Sequence, residues 1–283
     1  MTAKVLDGRA VAKQIYEEIK AAVDARMARG GSRPRLATVL VGDDPASATY
    51  VHLKQRNAHN VGIESEDHRL PVTTTTEELA DLVHRLTADD AVSAILVQQP
   101  TPKQIDMHRV VMALDPVKDV DGFHPVNAGL VAQGAPGGVE PCTPAGIVVL
   151  LERSGIAIEG SNAVVVGRSN LVGKPMALLL LRRNATVTVC HTRTKDLAAH
   201  TRQADILVAA AGRANLIEKE MVKSGAVVID VSTNWVGGRQ VGDLGPGVET
   251  VAGWLTPNPG GVGPMTRAML IKNTFDAEVR RKG

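Results

Sequence analysis

Between Asp7 and Arg29 the apolar residues Val11, Ile15, Ile19 and Val23 recur every four positions, the spacing of one helix face, and Gly30-Gly31 ends the run. The stretch LATVLVG at 36–42 then predicts a buried strand, and Asp43-Asp44-Pro45 predicts a turn that starts a second helix over 46–61, ending at Gly62. Thr76 with Glu77, Glu78 and Leu79 opens a third helix, and AILVQ at 94–98 predicts another buried strand. From Asp115 to Pro144 the chain is rich in Pro, Gly and Asp with no sustained apolar period, which predicts an irregular connection between domains. Beyond it the rhythm is regular: AVVVG (163–167), a helix from about Gly173, TVTVC (186–190), a short helix, DILVAAAG (205–212), another helix, AVVID (226–230), and a final amphipathic helix to about Arg280.

Short apolar strands alternating with helices imply an α/β protein whose second half is a Rossmann-like parallel sheet with right-handed crossovers. A length of 283 residues is enough for about two domains. With 44% apolar and 22% charged residues the chain has the composition of a folded globular protein. A net charge of +2 and six aromatic residues argue against nucleic acid as a partner, since neither a basic field nor a stacking platform is present. Cys142 and Cys190 lie 48 positions apart with no CxxC, which predicts buried reduced thiols rather than a zinc site or a disulfide framework. The opening MTAKVLDGRA lacks an apolar core, and MALLLL stops at Arg182-Arg183, so neither a signal peptide nor a membrane span is predicted and a cytoplasmic protein is expected.

The candidate chemistry falls in two groups. VVVGRSNLVGKP places Gly167, Ser169 and Gly173 at the first strand-to-helix turn of the second half, either as a pyrophosphate cradle or as an ordinary glycine-bearing turn, because Ser169 and Val172 break the strict GxGxxG pattern. The following strand ends in Cys190-His191-Thr192-Arg193-Thr194 without the acid that would accept the ribose hydroxyls of NAD. Arg168, Thr192 and Arg193 could instead donate to a 2′-phosphate, which favours NADP, although either arginine could simply face solvent. In the first half, Tyr50 and Lys54 share a helix face and form either an acid/base pair or an exposed lysine over a half-buried ring. Gln98 ends a strand, as a polar cap or at a ligand. Lys118-Asp119-Val120-Asp121-Gly122 reads as a turn, as metal ligands lacking the rest of a calcium loop, or as an aspartate for the amidine-like edge of a heterocycle. TPNPGGVGPMT (256–266) permits a rigid loop close to a ligand, and the eight histidines, with no i,i+4 metal-binding pair, are read as surface or structural.

Taken together, GDDPASATYVHLK, ILVQQP, PVKDVDGFHPVNAG, PCTPAGI, VVVGRSNLVGKP, ADILVAAAG, GAVVIDV and TPNPGGVGPMT resemble the bifunctional methylenetetrahydrofolate dehydrogenase/methenyltetrahydrofolate cyclohydrolase family. The resemblance implies a folate-binding domain over 1–122 completed by a C-terminal helix at 266–283, an NADP-binding Rossmann domain over 123–265, an active-site cleft between them, and a homodimer. It puts the family's catalytic lysine on Lys54, its ring-stacking, proton-relaying tyrosine on Tyr50, its lysine-tuning glutamine on Gln98 and its pterin-binding aspartate on Asp121. Gly167, Arg168, Ser169 and Thr192 match the cofactor loops, with Arg193 beside them, and Pro259, Gly260 and Gly261 would line the folate and nicotinamide side. The chain departs from the family's pattern at Gln99 and Thr101, where leucines are usual, at Arg56 in the YVxxKxK pattern, at Thr233, where an isoleucine that contacts the cofactor is common, at VGDLGP (241–246), and at Asn258 in TPNPGG.

The implied activity is oxidation of 5,10-methylenetetrahydrofolate by NADP⁺ followed by hydrolysis of the 5,10-methenyl product to 10-formyltetrahydrofolate, with tetrahydrofolate one-carbon derivatives as ligands. Two other classes fit parts of the sequence. A non-catalytic NADP sensor would need the Gly167 turn without Tyr50, Lys54, Gln98 and Asp121 together, and a hydroxy-acid dehydrogenase would need the Rossmann half alone.

Overall fold

The computed structural model describes residues 2–283. In chain order the elements are β1 (Lys4–Val5), α1 (Gly8–Ala28), β2 (Arg35–Val41), α2 (Pro45–Asn60), β3 (Glu64–Leu70), α3 (Thr76–Ala88), β4 (Ala94–Val97), α4 (Met107–Met112), α5 (Pro125–Gln133) and α6 (Cys142–Arg153). There follow β5 (Asn162–Val166), α7 (Gly173–Leu181), β6 (Thr186–Cys190), α8 (Leu197–Thr201), β7 (Ile206–Ala209), β8 (Val227–Asp230), β9 (Asn234–Val236), β10 (Arg239–Val241), β11 (Trp254–Leu255) and α9 (Val262–Lys282). The chain divides into two compact units, one made of Lys13–Cys142 with Arg267–Gly283, the other of the residues up to Ala12 with Thr143–Thr266.

The first unit is built on a parallel three-stranded sheet in the order β3-β2-β4. Central β2 is apolar almost throughout because helices cover both faces of a parallel sheet, and its Val39 and Val41 pack with Leu79 and Val83 of α3 and Ile95 of β4. Asp44 caps α2 by accepting from Ser47 N at 2.8 Å, with Pro45 in the first turn. Thr75 and Glu78 form a reciprocal capping box at α3. The edge strand β3, Glu-Ser-Glu-Asp-His-Arg-Leu, has no apolar alternation, and its pairing is fixed from Arg35↔Glu64 to Val41↔Leu70. A charged edge of this kind resists pairing with further strands. Helix α9 is tied in by Glu278, whose buried carboxylate accepts from Ser32 and, at 2.7 Å, from Ser93 Oγ, with Arg26 at 3.5 Å.

The second unit carries a six-stranded parallel sheet in the order β1-β11-β8-β7-β5-β6, the Rossmann-like arrangement, together with the antiparallel hairpin β9–β10. Three details differ from the sequence reading. The domain limits of 1–122 and 123–265 move: Lys4 and Val5 pair with Trp254 and Leu255, which draws the N-terminal residues into the six-stranded sheet. Residues 123–142 stay with the first unit instead, because Asn127 Nδ2 donates to Pro116 O at 2.8 Å and to Asp119 Oδ2 at 3.0 Å, while Asn127 Oδ1 accepts from Val139 N. The stretch 115–144 is therefore not one irregular connection, since it contains α5 and the start of α6. The helix expected between 212 and 226 is only a 3₁₀ turn, Lys219–Met221: the backbone around Ile217 is committed to pairing, with Ile217 N donating to Asp243 O at 2.9 Å and Gly245 N to Ile217 O at 2.8 Å.

Candidate active site and nucleotide pocket

Three elements of the first unit bring Lys54, Gln98 and Asp121 together. Gln98 follows β4 at the C-terminal edge of the sheet, where its backbone N donates to Val39 O at 2.8 Å. Its side-chain Nε2 donates to Gln99 O, which fixes the amide so that Oε1 faces α2 and accepts from Lys54 Nζ at 2.9 Å. Lys54 itself is half-buried on α2, and Tyr50, one turn earlier, is 43% exposed.

The Lys118–Gly122 segment separates into structural and functional parts. Lys118, 1% exposed, donates from Nζ to Leu86 O (3.2 Å), Thr87 O (2.6 Å) and Asp89 O (2.7 Å), closing the carbonyl-rich end of α3. Buried Asp119 accepts from Gly122 N (3.1 Å), His124 N (2.7 Å) and Asn127 Nδ2 (3.0 Å), so it shapes the turn. Asp121 is left over for other work. Burial pushes its carboxyl up to about 6, Lys54 pulls it back down, Asp119 adds to the rise, and the Cys142 thiol within hydrogen-bond reach opposes it. Among the described residues no group of three or more His, Cys, Asp or Glu side chains could hold a metal ion.

In the second unit the turn after β5 is shaped by backbone proximity. Gly167 has φ +135°, and a Cβ there would meet Ala210 O at 2.2 Å; a Cβ at Gly173 would meet Gly167 O at 2.2 Å. Ser169 Oγ accepts from Val172 N at 3.1 Å and from Gly173 N at 3.4 Å, capping α7 where Val172 offers no side-chain cap. A cavity of about 390 Å³ opens beside this turn, lined by Gly167, Arg168 and Ser169, by His191, Thr192 and Thr194 after β6, and by Ala210, Ala211 and Arg213 after β7, with Leu197 and Leu216 as apolar walls. Aspartate and glutamate are absent from its lining, and two guanidinium groups are present. Buried Asp243 holds the third wall: it accepts from Ala211 N (2.6 Å), Gly212 N (3.1 Å), Arg213 N (2.8 Å), Ser232 Oγ (2.7 Å) and Asn234 Nδ2 (3.1 Å).

Comparison with known proteins finds two family models along the chain. The family model described as tetrahydrofolate dehydrogenase/cyclohydrolase, catalytic domain, matches residues 6–121, and the NAD(P)-binding domain of that family matches residues 141–282. The chain belongs to the tetrahydrofolate dehydrogenase/cyclohydrolase family. It is 54% identical over 276 residues to the bifunctional protein FolD of Halothermothrix orenii, covering 97% of each chain. Its fold is similar to the crystal structure of the bifunctional enzyme FolD, a methylenetetrahydrofolate dehydrogenase/cyclohydrolase, from Campylobacter jejuni (TM-score 0.96, 44% identity, 99% of each chain). It is also similar to the Trypanosoma brucei enzyme complexed with NADP cofactor and inhibitor (TM-score 0.93, 39% identity, 99% of each chain).

In this family member the residues expected at the cofactor separate. Gly167, Arg168, Ser169 and Thr192 line the cavity beside the Gly167 turn, whereas Arg193 and Thr233 are exposed and lie outside its lining. Arg193 serves the turn through its backbone, its N–H donating to His191 Nδ1 at 3.1 Å. Gly260 and Gly261 are buried in the loop before α9, with Gly261 N donating to Pro257 O at 2.8 Å, while Pro259 is exposed. Asn258 bridges that loop to its neighbours: Nδ2 donates to Ser232 O and Oδ1 accepts from Gln240 Nε2, both at 2.7 Å. Sequence reasoning missed His191, Thr194, Arg213 and Asp243. The signal for Asp243 was its isolated position between glycines in VGDLG, where an aspartate next to flexible backbone suits a hub for N–H donors.

Proposed function

We propose that this chain oxidises 5,10-methylenetetrahydrofolate to 5,10-methenyltetrahydrofolate with NADP⁺ and hydrolyses the product to 10-formyltetrahydrofolate. The observation that carries the reading is the 2.9 Å bond from Lys54 Nζ to Gln98 Oε1 with Asp121 beside them, in a chain matched by both models of the family.

The nucleotide cavity suits a phosphorylated dinucleotide on two counts: no room for a Cβ at Gly167 or Gly173, so that main chain approaches the ligand closely, and Arg168 with Arg213 in the lining. NADP⁺, when bound, supplies the acceptor for the hydride. Arg168 and Thr192 donate to the 2′-phosphate, and Gly167 and Ser169 hold the diphosphate. On the folate side, the ionised Asp121 carboxylate accepts from the N–H edge of the pterin, and Tyr50 lies flat against a ring. Oxidation needs no protein base; orientation is what these residues contribute.

Hydrolysis needs more of the protein. Water adds through oxygen to the methenyl carbon and loses a proton; the carbon–nitrogen bond then breaks, the nitrogen takes up a proton, and one proton is released overall. Lys54 moves the proton at the leaving nitrogen, and Gln98, held by Gln99 O, keeps Lys54 aimed. Asp121 also places a negative charge near the ammonium.

The test follows NADPH formation and methenyl absorbance together, with NAD⁺ as the second dinucleotide. The wild type reduces NADP⁺ and accumulates little methenyl. Lys54→Met keeps appreciable dehydrogenase activity while methenyl builds up, and equal loss of both activities would contradict the division of labour. A homodimer in the cytoplasm belongs to the same reading, and sedimentation of the purified chain tests the dimer. No helix among the described residues is long and apolar enough to cross a membrane.

A further inference from the structure

Ala210, Ala211, Arg213 and Leu216, which line the cavity beside the Gly167 turn, all belong to the loop that leaves β7. One residue outside the lining holds this loop at both ends. At its start the Asp243 carboxylate accepts from three successive amides, Ala211 N (2.6 Å) and Gly212 N (3.1 Å) on Oδ2 and Arg213 N (2.8 Å) on Oδ1. Gly212, with φ +67°, is the left-handed residue that turns such amides toward one point. That concave arrangement binds anions, and here the anion is the protein's own carboxylate. At the far end the main chain of Asp243 takes over: Ile217 N donates to Asp243 O at 2.9 Å, and Gly245 N donates to Ile217 O at 2.8 Å.

The hairpin β9–β10 delivers Asp243 to this position. The chain leaves β8 at Asp230, runs out and back through the hairpin, and returns so that Asp243 N donates to Asp230 Oδ1 at 3.0 Å, 13 positions on. Gly242 permits the return, because a Cβ there would overlap the Asp230 carboxylate. On the outward path Ser232 Oγ accepts from Gly212 N at 3.0 Å and donates to Asp243 Oδ2 at 2.7 Å, and Asn234 Nδ2 donates to Oδ1 at 3.1 Å. The exits of β7 and β8, neighbouring parallel strands, are therefore tied through one carboxylate at the edge of the sheet where α/β proteins bind their ligands.

We propose that Asp243 is a positioning residue for the dinucleotide: by tying the loop after β7 to the loop after β8, it forms the cavity wall that carries Arg213 and Leu216 before the ligand arrives. A wall left untied would have to be ordered on binding, at a cost in affinity. Because the amides of 211–213 are committed to Asp243, what the loop offers a ligand is side chain, the Arg213 guanidinium and the Leu216 surface. The folate-side group of Lys54, Gln98 and Asp121 lies in the other unit and takes no part in this network.

The role rests on reading the cavity as the NADP site, and the experiment keeps the two apart. In the full-length protein NADPH binding is followed by the change in its fluorescence, and cyclohydrolase activity by loss of 5,10-methenyltetrahydrofolate supplied directly, a step that consumes no dinucleotide. Asp243→Asn sets an amide donor against the donors that surround it, so the NADPH Kd and the NADP KM should rise about ten- to hundredfold, while cyclohydrolase activity stays within about twofold of wild type. Ser232→Ala removes one donor and should raise the NADPH Kd about three- to fivefold, and Ser232→Thr, which keeps the hydroxyl, should restore it. If Asp243→Asn loses cyclohydrolase activity as well, it has lost its fold, and the Ser232 pair decides. A wild-type NADPH Kd in a folded Asp243→Asn, or in Ser232→Ala where Asp243→Asn does not fold, would overturn the proposal and leave the reading of the cavity in place. A wild-type protein that does not bind NADPH would defeat that reading and the role built on it.

Discussion

The two ends of the proposed reaction are built from different materials. Around Lys54 the site is made of side chains: an amide aimed by Gln99 O, an ammonium aimed by that amide, and a carboxylate left over after Asp119 has shaped its turn. Around Gly167 it is made of backbone, with the absence of two Cβ atoms letting β5, β7 and α7 approach until only main chain separates them. A site of side chains is sensitive to single atoms and, through Asp121, to pH, and a turn built of close backbone is sensitive first to volume. That difference suits the chemistry, since hydrolysis moves protons and dinucleotide binding requires fixed amides.

The largest expected effect is at the backbone site. Gly167→Ala puts a methyl group where Ala210 O lies at 2.2 Å, so the affinity for NADPH, read by quenching of its fluorescence, should fall by about 100-fold or more, the scale of losing a positioned phosphate cradle. An unchanged Kd would remove the contrast between the two regions. Next comes Lys118→Met, which leaves three carbonyls of the α3 terminus without their donor and should lower stability to urea by about 2–4 kcal/mol. A loss smaller than that of an ordinary surface change would show that Lys118 does not hold the Asp121 loop.

Asp121 sharpens the comparison through pH. Its carboxyl, raised to about 6, is protonated below that value, so folate affinity should fall as pH drops from 7 to 5. Asp121→Asn should bind folate about tenfold more weakly at pH 7 and with a flat profile, as titration at several pH values would show. The linkage has the opposite sign for stability. A carboxyl raised in the folded state contributes stability that is present below its unfolded value and is lost as pH rises through about 6, so Asp121→Asn should gain most over wild type above pH 6 in denaturant melts. The smallest effect is expected at Asn258→Val, which removes the bonds to Ser232 O and Gln240 Nε2: the NADP KM should rise about twofold, roughly the worth of a partly exposed hydrogen bond. A fall in KM would show that the asparagine restrains the loop unfavourably.

Much of the fold was legible because it follows from local periodicity and capping. The apolar runs of β2, β4 and β5, the Asp44-Pro45 start of α2 and the Thr76 start of α3 lie where the sequence put them, within a residue or two, whereas β7 ends three residues before the expected Gly212 and the Thr75 cap of α3 went unread. Strand β3 was not legible, since a polar edge strand shows its identity only through pairing with β2. The helix expected after β7 failed for a related reason: Ile217 finds its partner at 243–245, more than twenty positions away. Of the candidate site, Lys54, Gln98 and Gly167 are visible as residue types at strand ends and helix turns. What separates Asp121 from Asp119 is not visible in residue type or spacing, because both are aspartates two positions apart in one turn, and only the family resemblance singled out Asp121.

The sequence by itself determined the elements, the parallel α/β class and the set of residues from which a site could be drawn, because these depend on neighbours within one or two turns of chain. Tertiary structure alone decided which of them act together. Lys54 and Gln98 are 44 positions apart and Val120 and Asn273 are 153 apart, and a hydrogen bond between such residues exists only after the sheet and helices have fixed both ends within 3 Å of each other.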